Sequence, residues 1–521
     1  MIQSAGNGLG LVALAILPFV VFLLFRKLPF RDALIWSIVG GYLFLPAAFF
    51  ISINPPVLPS LDKEFIPAFT ATLVTMIILA RQNSKNPRRA AVADTGPELT
   101  NLPGWLPRSG LGRALMGMVF FGILATAITN GDPLTYGARS LPAQSLYDGF
   151  SALLELGVIF LPLLLGRKFL SDDVGHKRLL VILFISALIY TLPAMYEVRM
   201  SPQINRMVYG FFPHSWVQHI RGGGFRPLVF LDHGLLLGIH FTCALIAGVI
   251  LVRLEQGGRR LLYGFCAVWL FLALILSKTL GAFLIALTII PIALLMPVRL
   301  QLMAAAGIAL IMLSYPILRG SDMVPTEALT EMAAGIDERR AASLQYRFDN
   351  EDLLLGKANE RPAFGWGWWT RARVYNEFGV DISVPDGAWI VTIGERGWVG
   401  YIGYFGFLTL PMVLLFLRRK RYEVGLVTAG LCMATAANLL DLLPNASLSP
   451  VLMLSAGALL GRLELVRETA QAPEASSSDA DAPVALQPDG PVLGPDMELT
   501  RYSRFPVRKR TSDGRQRPES G

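Results

Sequence analysis

Apolar residues in this chain occur in long blocks that alternate with short polar segments. A helix needs roughly 17–25 mostly apolar residues to cross about 30 Å of hydrocarbon, and the blocks have this length. We predict spans that begin near residues 9, 33, 65, 113, 145, 179, 228, 260, 279, 302, 397, 423 and 447. The pattern predicts an all-α polytopic membrane protein with about 12–13 transmembrane helices, in a domain that covers residues 1–462.

The composition supports a membrane protein and argues against a soluble globular protein or a nucleic-acid-binding one. Of the 521 residues, 53% are hydrophobic and 16% are charged, which is too apolar for a soluble globular protein. The net charge of +8 does not indicate nucleic-acid binding, because the cations lie in short linkers beside the apolar blocks. Cys243, Cys266 and Cys432 lie inside apolar blocks, as buried small side chains do. The first block, 9–25, lacks the flanks of a cleavable signal peptide, so we expect a retained helix.

Lys and Arg alternate between the linkers. The linkers after spans one, three, five, seven, nine and eleven carry 3, 6, 4, 3, 1 and 4 of them. The linkers after spans two, four, eight and twelve carry 1, 1, 1 and 0. By the positive-inside rule, the first set is cytoplasmic, the N-terminus lies outside and the C-terminus lies inside.

Two linkers predicted to be external break this alternation. The linker at 196–227 carries Arg199, Arg206, Arg221 and Arg226. The linker at 318–396 carries Arg319, Arg339, Arg340, Arg347, Lys357, Arg361, Arg371, Arg373 and Arg396. Long loops can be translocated whatever their charge, which is one explanation. We favour the other, that these cations bind an anionic substrate that carries phosphate.

The large linker has the pattern of folded structure. Segments 326–335 and 337–348 each read as a short helix, with Asp337 as the N-cap of the second, and 353–355 supplies a small apolar face. Three tryptophans follow: Trp366, Trp368 and Trp369. They suit either the membrane interface or the apolar faces of sugar rings.

One carboxylate stands at the end of this linker. Asp386 precedes the segment 395–400, which we predict to open the eleventh span. A loop aspartate is usually a solvated turn residue, but one near arginines and tryptophans is a candidate general base. His214 and His219 show no partner in the sequence and receive no role, and His233 receives a structural one.

Four stretches resemble the O-antigen ligase and O-antigen or exopolysaccharide polymerase family of bacterial envelope glycosyltransferases. They are Gly-Phe-Arg-Pro at 224–227 with Asp-His-Gly at 232–234, Leu-Ser-Lys-Thr-Leu-Gly at 276–281, Arg347 with Arg-Pro-Ala-Phe-Gly-Trp-Gly at 361–367, and Asp386-Gly387 followed after nine residues by Gly-Trp-Val-Gly at 397–400. The last stretch matches the spacing of the family's ligase motif, in which a histidine, the proposed base, stands where this chain has Asp386.

The resemblance implies a GT-C-like membrane fold with a large periplasmic loop, in the bacterial inner membrane. It implies a metal-independent glycosyltransferase with no cofactor, whose partners are an undecaprenyl-diphosphate-linked glycan donor, a glycan acceptor and membrane lipids. Arg226 and Arg347 would then bind the diphosphate and Asp386 would act as base. The substrate-binding candidates are Arg221, Arg340, Arg361, Trp366, Trp368, Trp369 and Lys278.

Several functions remain open at this point. The leading one is polymerisation of the lipid-linked repeat units of an exopolysaccharide or O-antigen, with a chain-length regulator or flippase as a further candidate partner. A ligase that transfers glycan to lipid A-core or to protein uses the same chemistry. A transporter of lipid-linked oligosaccharide would need broken or charged helices and internal symmetry, and the sequence shows no internal repeat. The polar segment 463–521 is predicted to be a disordered cytoplasmic tail with a basic, lipid-binding end.

Overall fold

Helices make up 72% of the structure, which is a computed structural model. It describes residues 2–3, 6–47, 50–51, 59–85, 102–221, 223–335, 338–368, 370–446, 448–471, 497–498 and 507–508. The helices are α1 (Gly8–Lys27), α2 (Phe30–Phe44), α3 (Phe65–Lys85), α4 (Gly110–Thr129), α5 (Leu146–Phe169), α6 (Asp173–Met200), α7 (Ile204–Tyr209), α8 (Gly234–Leu254), α9 (Gly257–Leu276), α10 (Leu280–Leu295), α11 (Val298–Gly320), α12 (Thr326–Ala334), α13 (Glu338–Asn359), α14 (Ala388–Leu417), α15 (Leu426–Asp441) and α16 (Pro450–Gln471).

The strands are short and pair only as antiparallel two-stranded ribbons within the described residues. The pairs are β1 (Ile2–Gln3) with β2 (Phe50–Ile51), β3 (Leu134–Tyr136) with β4 (Arg139–Leu141), β5 (Ile220–Arg221) with β6 (Gly224–Phe225), and β7 (Met497–Glu498) with β8 (Val507–Arg508). The last pair belongs to a separate compact unit that begins at Ala470. Most of the predicted tail lies outside the described residues.

An apolar helix begins within nine residues of every predicted span start. Eight of these helices, in the part of the chain that the structure describes, are long and apolar enough to cross a membrane: α1, α4, α5, α6, α8, α9, α11 and α14. Three more, α3, α10 and α15, contain shorter apolar segments, and α2 and α16 complete the set of predicted positions. The prediction of an all-α, multi-pass membrane protein is therefore confirmed.

Linkers that the charge pattern assigns to one side contact one another. Arg31, after α1, lies 2.8 Å from Asp172 after α5, and Lys177 lies 2.7 Å from Glu255 after α8. At the other end, Lys63 before α3 forms an ion pair with Asp232 before α8. The alternation along the chain therefore corresponds to the two ends of one helix bundle.

Small residues allow the helices to pack closely. A Cβ atom added to Gly457 of α16 would lie 2.0 Å from the carbonyl oxygen of Leu163, and one added to Gly166 of α5 would lie 2.2 Å from that of Leu454. Close backbone approach of this kind is typical of membrane helices, which gain little from the hydrophobic effect inside lipid. At the centre of the bundle, α8 is buried along nearly its whole length.

The predicted boundaries of the large linker were wrong in two places. The second loop helix does not end at 348 but continues through 353–355 to Asn359, because Phe348, Leu355 and Ala358 recur at helical spacing and are all buried. Asp337, its predicted N-cap, lies outside the described residues. Helix α14 begins at Ala388, so that 395–400 lies inside the helix and does not open it.

Helix α14 is broken at Gly397, whose φ of +61° favours glycine. The large linker supplies replacement hydrogen bonds there. The amide of Trp398 donates to the carbonyl of Pro362 (2.8 Å), and the amide of Gly367 donates to the carbonyl of Glu395 (2.8 Å). The segment Pro-Ala-Phe-Gly-Trp-Gly at 362–367 is therefore hydrogen-bonded through its backbone to helix α14.

Two further boundaries shift by a turn or two. Helix α6 runs to Met200 and α8 begins at Gly234, so the sixth linker is 201–233 in place of 196–227. Helix α16 runs to Gln471, past the predicted boundary at 462. Helix ends are the least predictable feature of an apolar block, because the flanking polar residues can continue the hydrogen-bonded ladder.

Candidate functional site

The hairpin β5–β6 places two arginines beside the start of α8. Arg221 lies on β5 and Arg226 directly follows β6. The amide of Arg226 donates to the carbonyl of His219 (2.7 Å), which fixes the backbone. Its side chain crosses the first turn of α8 at Gly234, where a Cβ atom would lie 2.5 Å from Cδ of Arg226. The glycine in Asp-His-Gly therefore makes room for the arginine in Gly-Phe-Arg-Pro.

The Arg226 side chain is buried beside other cations. Arg226 is 7% exposed, and no hydrogen-bond partner lies within reach of its Nε among the described residues. The pKa of Arg226 falls to about 10, because burial disfavours its charge and because Arg221 and Arg347 repel it. A buried cation is normally paired with a carboxylate. Here two like charges are its electrostatic neighbours.

Arg347 comes to this cluster from the middle of α13. Its Nε lies 3.4 Å from Oδ2 of Asp386, and its Nη1 donates to the carbonyl of Pro444 (3.1 Å). Both side chains are about one-third exposed, at 33% and 37%. The amide of Ala388 donates to the carbonyls of Leu442 and Asn445 (3.0 Å each), which ties the Asp386 segment to the end of α15.

Lys278 joins the same group from the turn between α9 and α10. Its Nζ donates to the carbonyl of Arg221 (3.0 Å). The turn places Lys278 at a φ of +55°, which is unusual for a residue with a side chain. Gly224 leaves space for the ammonium group, since a Cβ atom there would lie 2.2 Å from Nζ. Two of the four stretches that suggested the family are thus packed against each other.

The structure therefore brings together five of the predicted residues from three separate linkers. They are Arg221, Arg226, Lys278, Arg347 and Asp386. Guanidinium groups bind phosphate oxygens with two parallel hydrogen bonds, and a carboxylate at the edge of such a cluster can accept a proton. The arrangement is suited to binding an anion next to a base.

Arg361 and Trp366 lie elsewhere and have partners within the protein. Arg361 forms a two-pronged ion pair with Asp132 (2.7 and 3.1 Å) and also donates to Oδ1 of Asn130 (2.7 Å). Trp366 is 5% exposed, and its Nε1 donates to the carbonyl of Lys357 (2.7 Å). The remaining turns of α13 alone extend about 18 Å from Arg347 towards this group.

The other aromatic and basic candidates remain predictions. Trp368 is 42% exposed and so is open to a ligand. Trp369 lies outside the described residues, as does the side chain of Arg340. Arg371, one of the cations of the large linker, is almost completely buried, and its Nη1 donates to the carbonyl of Pro142 (2.7 Å).

Replacing Asp132 with Asn is expected to loosen the attachment of the large linker. The pKa of Asp132 is held below its usual value, mainly by hydrogen bonds from Arg361. Its stabilisation is therefore present above the ordinary aspartate pKa and is lost as the pH falls through the lowered value. Because the pair is partly exposed, we expect a loss of about 1 kcal/mol or less. Faster hydrogen exchange in segment 361–373 would show it, with Asp349→Asn as control; unchanged protection would contradict it.

Three histidines form a cluster beside Arg226: His214 and His219, which the sequence left without a role, and His233, for which it predicted a structural one. The ring centroids of His214 and His233 lie 4.6 Å apart, those of His219 and His233 lie 5.0 Å apart, and those of His214 and His219 lie 5.7 Å apart. Their irregular spacing along the chain follows no helix or strand period, so only the folded loop reveals the cluster. His214 and His219 fall in the Arg-rich linker predicted at 196–227, and this location was the only sign of the cluster in the sequence.

The described residues contain no group of three or more His, Cys, Asp or Glu side chains arranged to hold a metal ion. Comparison with protein-family models found no match. Comparison with curated protein sequences found no significant match either.

Proposed function

We propose that this chain is a metal-independent glycosyltransferase that polymerises undecaprenyl-diphosphate-linked repeat units of an exopolysaccharide or O-antigen. In this proposal, all thirteen apolar helices span the bacterial inner membrane, the N-terminus is periplasmic and the C-terminus is cytoplasmic. The arginine cluster then faces the periplasm, where a lipid-linked donor presents its diphosphate. The resemblance in the four stretches described above is consistent with this assignment.

The observation that carries the proposal is the buried side chain of Arg226, whose Nε has no hydrogen-bond partner among the described residues and whose charge is repelled by Arg221 and Arg347. Burying an unpaired charge destabilises a protein, so such a site is expected to have a ligand of opposite charge. A diphosphate carries enough charge and enough oxygen acceptors for several guanidinium groups. A single carboxylate could pair with only one of Arg221 and Arg226, since Arg347 already pairs with Asp386.

The reaction makes direct use of the cluster. A hydroxyl oxygen of the acceptor glycan attacks the anomeric carbon, and the bond from that carbon to the diphosphate breaks. The diphosphate leaves with the bonding electron pair, and the three arginines stabilise the charge that it gains. The hydroxyl proton passes to a base, for which Asp386 is the candidate carboxylate.

Replacing Asp386 with Asn is expected to lower turnover by about 10²- to 10⁴-fold, the usual contribution of a general base. Donor binding should be unchanged or tighter, because the substitution removes a negative charge 3.4 Å from Arg347. Elongation of a synthetic lipid-linked repeat by purified protein in liposomes measures the first quantity, and donor titration measures the second. Asp381→Asn is the matched control, since Asp381 also pairs with a loop arginine, Arg373 (3.6 Å). Wild-type turnover in Asp386→Asn would leave that carboxylate a structural role only.

A ligase is the alternative within the same chemistry. It would use the same donor and the same arginines and would differ only in the acceptor, which is lipid A-core or protein. The elongation assay separates the two. A polymerase extends one lipid-linked repeat with another, whereas a ligase transfers glycan only when its acceptor, lipid A-core or protein, is also present.

The break in α14 favours a second class of function, a transporter of lipid-linked oligosaccharide. Gly397 interrupts this helix directly after Glu395 and Arg396, and interrupted helices with charged residues mark substrate paths in transporters. Purified protein would then move the lipid across the bilayer without joining repeats. Formation of longer glycans by purified protein would rule out transport as the sole activity.

A further inference from the structure

We infer that His219 and His233 form a hydroxyl-recognition pair that binds the sugar next to the donor diphosphate. The inference rests on the proposed function, since it places the sugar beside the arginine cluster. Both residues of this pair lie in the sixth linker, and neither lies in the large linker.

The hydrogen bonds of His219 fix its tautomer. Its Nδ1 lies 3.1 Å from the carbonyl oxygen of Ser215. A carbonyl oxygen can only accept, so Nδ1 carries the proton and donates. In the neutral ring, Nε2 is then a hydrogen-bond acceptor. His219 is fully buried, and among the described residues this Nε2 has no partner.

The hydrogen bonds of His233 fix the opposite tautomer. His233 is the N-cap of α8, and its Nδ1 accepts from the amide of Leu235 (3.0 Å). An atom that accepts from an amide carries no proton, so the proton of the neutral ring is on Nε2, which becomes a donor. The ring centroids lie 5.0 Å apart, so the acceptor and the donor belong to neighbouring side chains.

Both rings are neutral at ordinary pH. The pKa of His219 falls to about 4, and that of His233 falls to about 3, first because of burial and then because the neighbouring histidines and arginines repel a further positive charge. The groups that act on both rings in this way are His214, Arg221 and Arg226, and His219 also acts on His233. The pair therefore offers one acceptor and one donor, without adding charge.

A hydroxyl group is the ligand that matches such a pair. It donates one hydrogen bond and accepts others, so it can bridge the acceptor of His219 and the donor of His233. Arg226 lies beside the pair, because its amide donates to the carbonyl of His219 (2.7 Å). A ligand that joins an anionic group to a neighbouring hydroxyl-rich group would use both features at once. A glycosyl diphosphate has this composition.

Two substitutions at His219 separate recognition from structure. In His219→Asn, the amide nitrogen can replace Nδ1 and keep the bond to Ser215, while the acceptor at the ring's far edge is lost. In His219→Gln, the longer side chain can place its carbonyl oxygen where Nε2 was. Asparagine should therefore remove sugar recognition, and glutamine should restore much of it.

The experiment is a binding titration of purified protein in nanodiscs with two probes, undecaprenyl diphosphate and the same lipid carrying one hexose. We expect the wild type to bind the hexose-bearing probe more tightly. His219→Asn should bind it about 5- to 10-fold more weakly than the wild type, with unchanged affinity for the sugar-free probe, since one hydrogen bond is lost. His219→Gln should lie near the wild type.

Equal affinity of the wild type for the two probes would overturn the inference, and so would an equal loss for both probes in His219→Asn. Neither result requires turnover, so this test is independent of elongation. A wild type that shows the expected preference but never elongates would contradict the polymerase and leave the recognition pair standing. A wild type that binds neither probe would contradict both proposals.

Discussion

Replacing Arg226 with Met is expected to abolish polymer formation and to leave the protein at least as stable as the wild type. A loss of activity without a loss of stability is unusual for a buried residue, because most substitutions at buried positions lower activity by destabilising the fold. Arg226 should behave differently, since it is buried and repelled by two arginines, and no carboxylate in the described part of the chain pairs with it. Apolar replacements of buried charged groups are often neutral or stabilising, by about 1–4 kcal/mol.

The expected loss of turnover is about 10²- to 10³-fold, the effect of removing one donor that stabilises transition-state charge. Polymer length on gels and thermal unfolding in detergent measure the two quantities in the same preparation. Arg206→Met is the matched control, because Arg206 is an exposed arginine of the same linker. An Arg226→Met protein that unfolds at a lower temperature than the wild type would contradict this prediction, because it would show that the guanidinium stabilises the fold.

Replacing Arg347 with Ala is expected to abolish polymer while leaving membrane insertion intact. Arg347 is one-third exposed on α13 and contributes little to helix packing. Arg347 nevertheless acts on both parts of the cluster. It pairs with Asp386 in the large linker, and its charge acts on Arg226 in the sixth linker. We expect turnover to fall by about 10²- to 10³-fold, as for Arg226.

Two further variants sharpen this second prediction. Arg347→Lys keeps the charge and loses the two-pronged geometry, so it should recover part of the activity. Arg339→Ala, an exposed arginine on the same helix, should retain normal polymer. Normal polymer length in Arg347→Ala, with normal amounts of protein in the membrane, would remove Arg347 from the site.

The helical fold could be predicted because span length and charge alternation are local properties of the chain. Each apolar block of 15 or more residues became a helix, and linkers of equal parity met at the same end of the bundle. The break at Gly397 could not be predicted in this way. It depends on hydrogen bonds that the segment near Pro362 supplies from a different part of the chain.

The composition of the site was only partly visible in the sequence. The anomalous arginines were a sound signal, and five predicted residues converged. Charge alone could not separate Arg226, whose Nε has no hydrogen-bond partner among the described residues, from Arg361, which pairs with Asp132. That distinction depends on which carboxylates the fold brings near each arginine.

If the arginine cluster binds the diphosphate of a lipid-linked glycan, removing one guanidinium should weaken the binding of that lipid. Titration of undecaprenyl diphosphate into wild-type and Arg226→Met protein in nanodiscs measures this. We expect the variant to bind about 10- to 100-fold more weakly, the effect of losing a charged hydrogen-bond donor. Equal affinity of the two proteins for this lipid would contradict it.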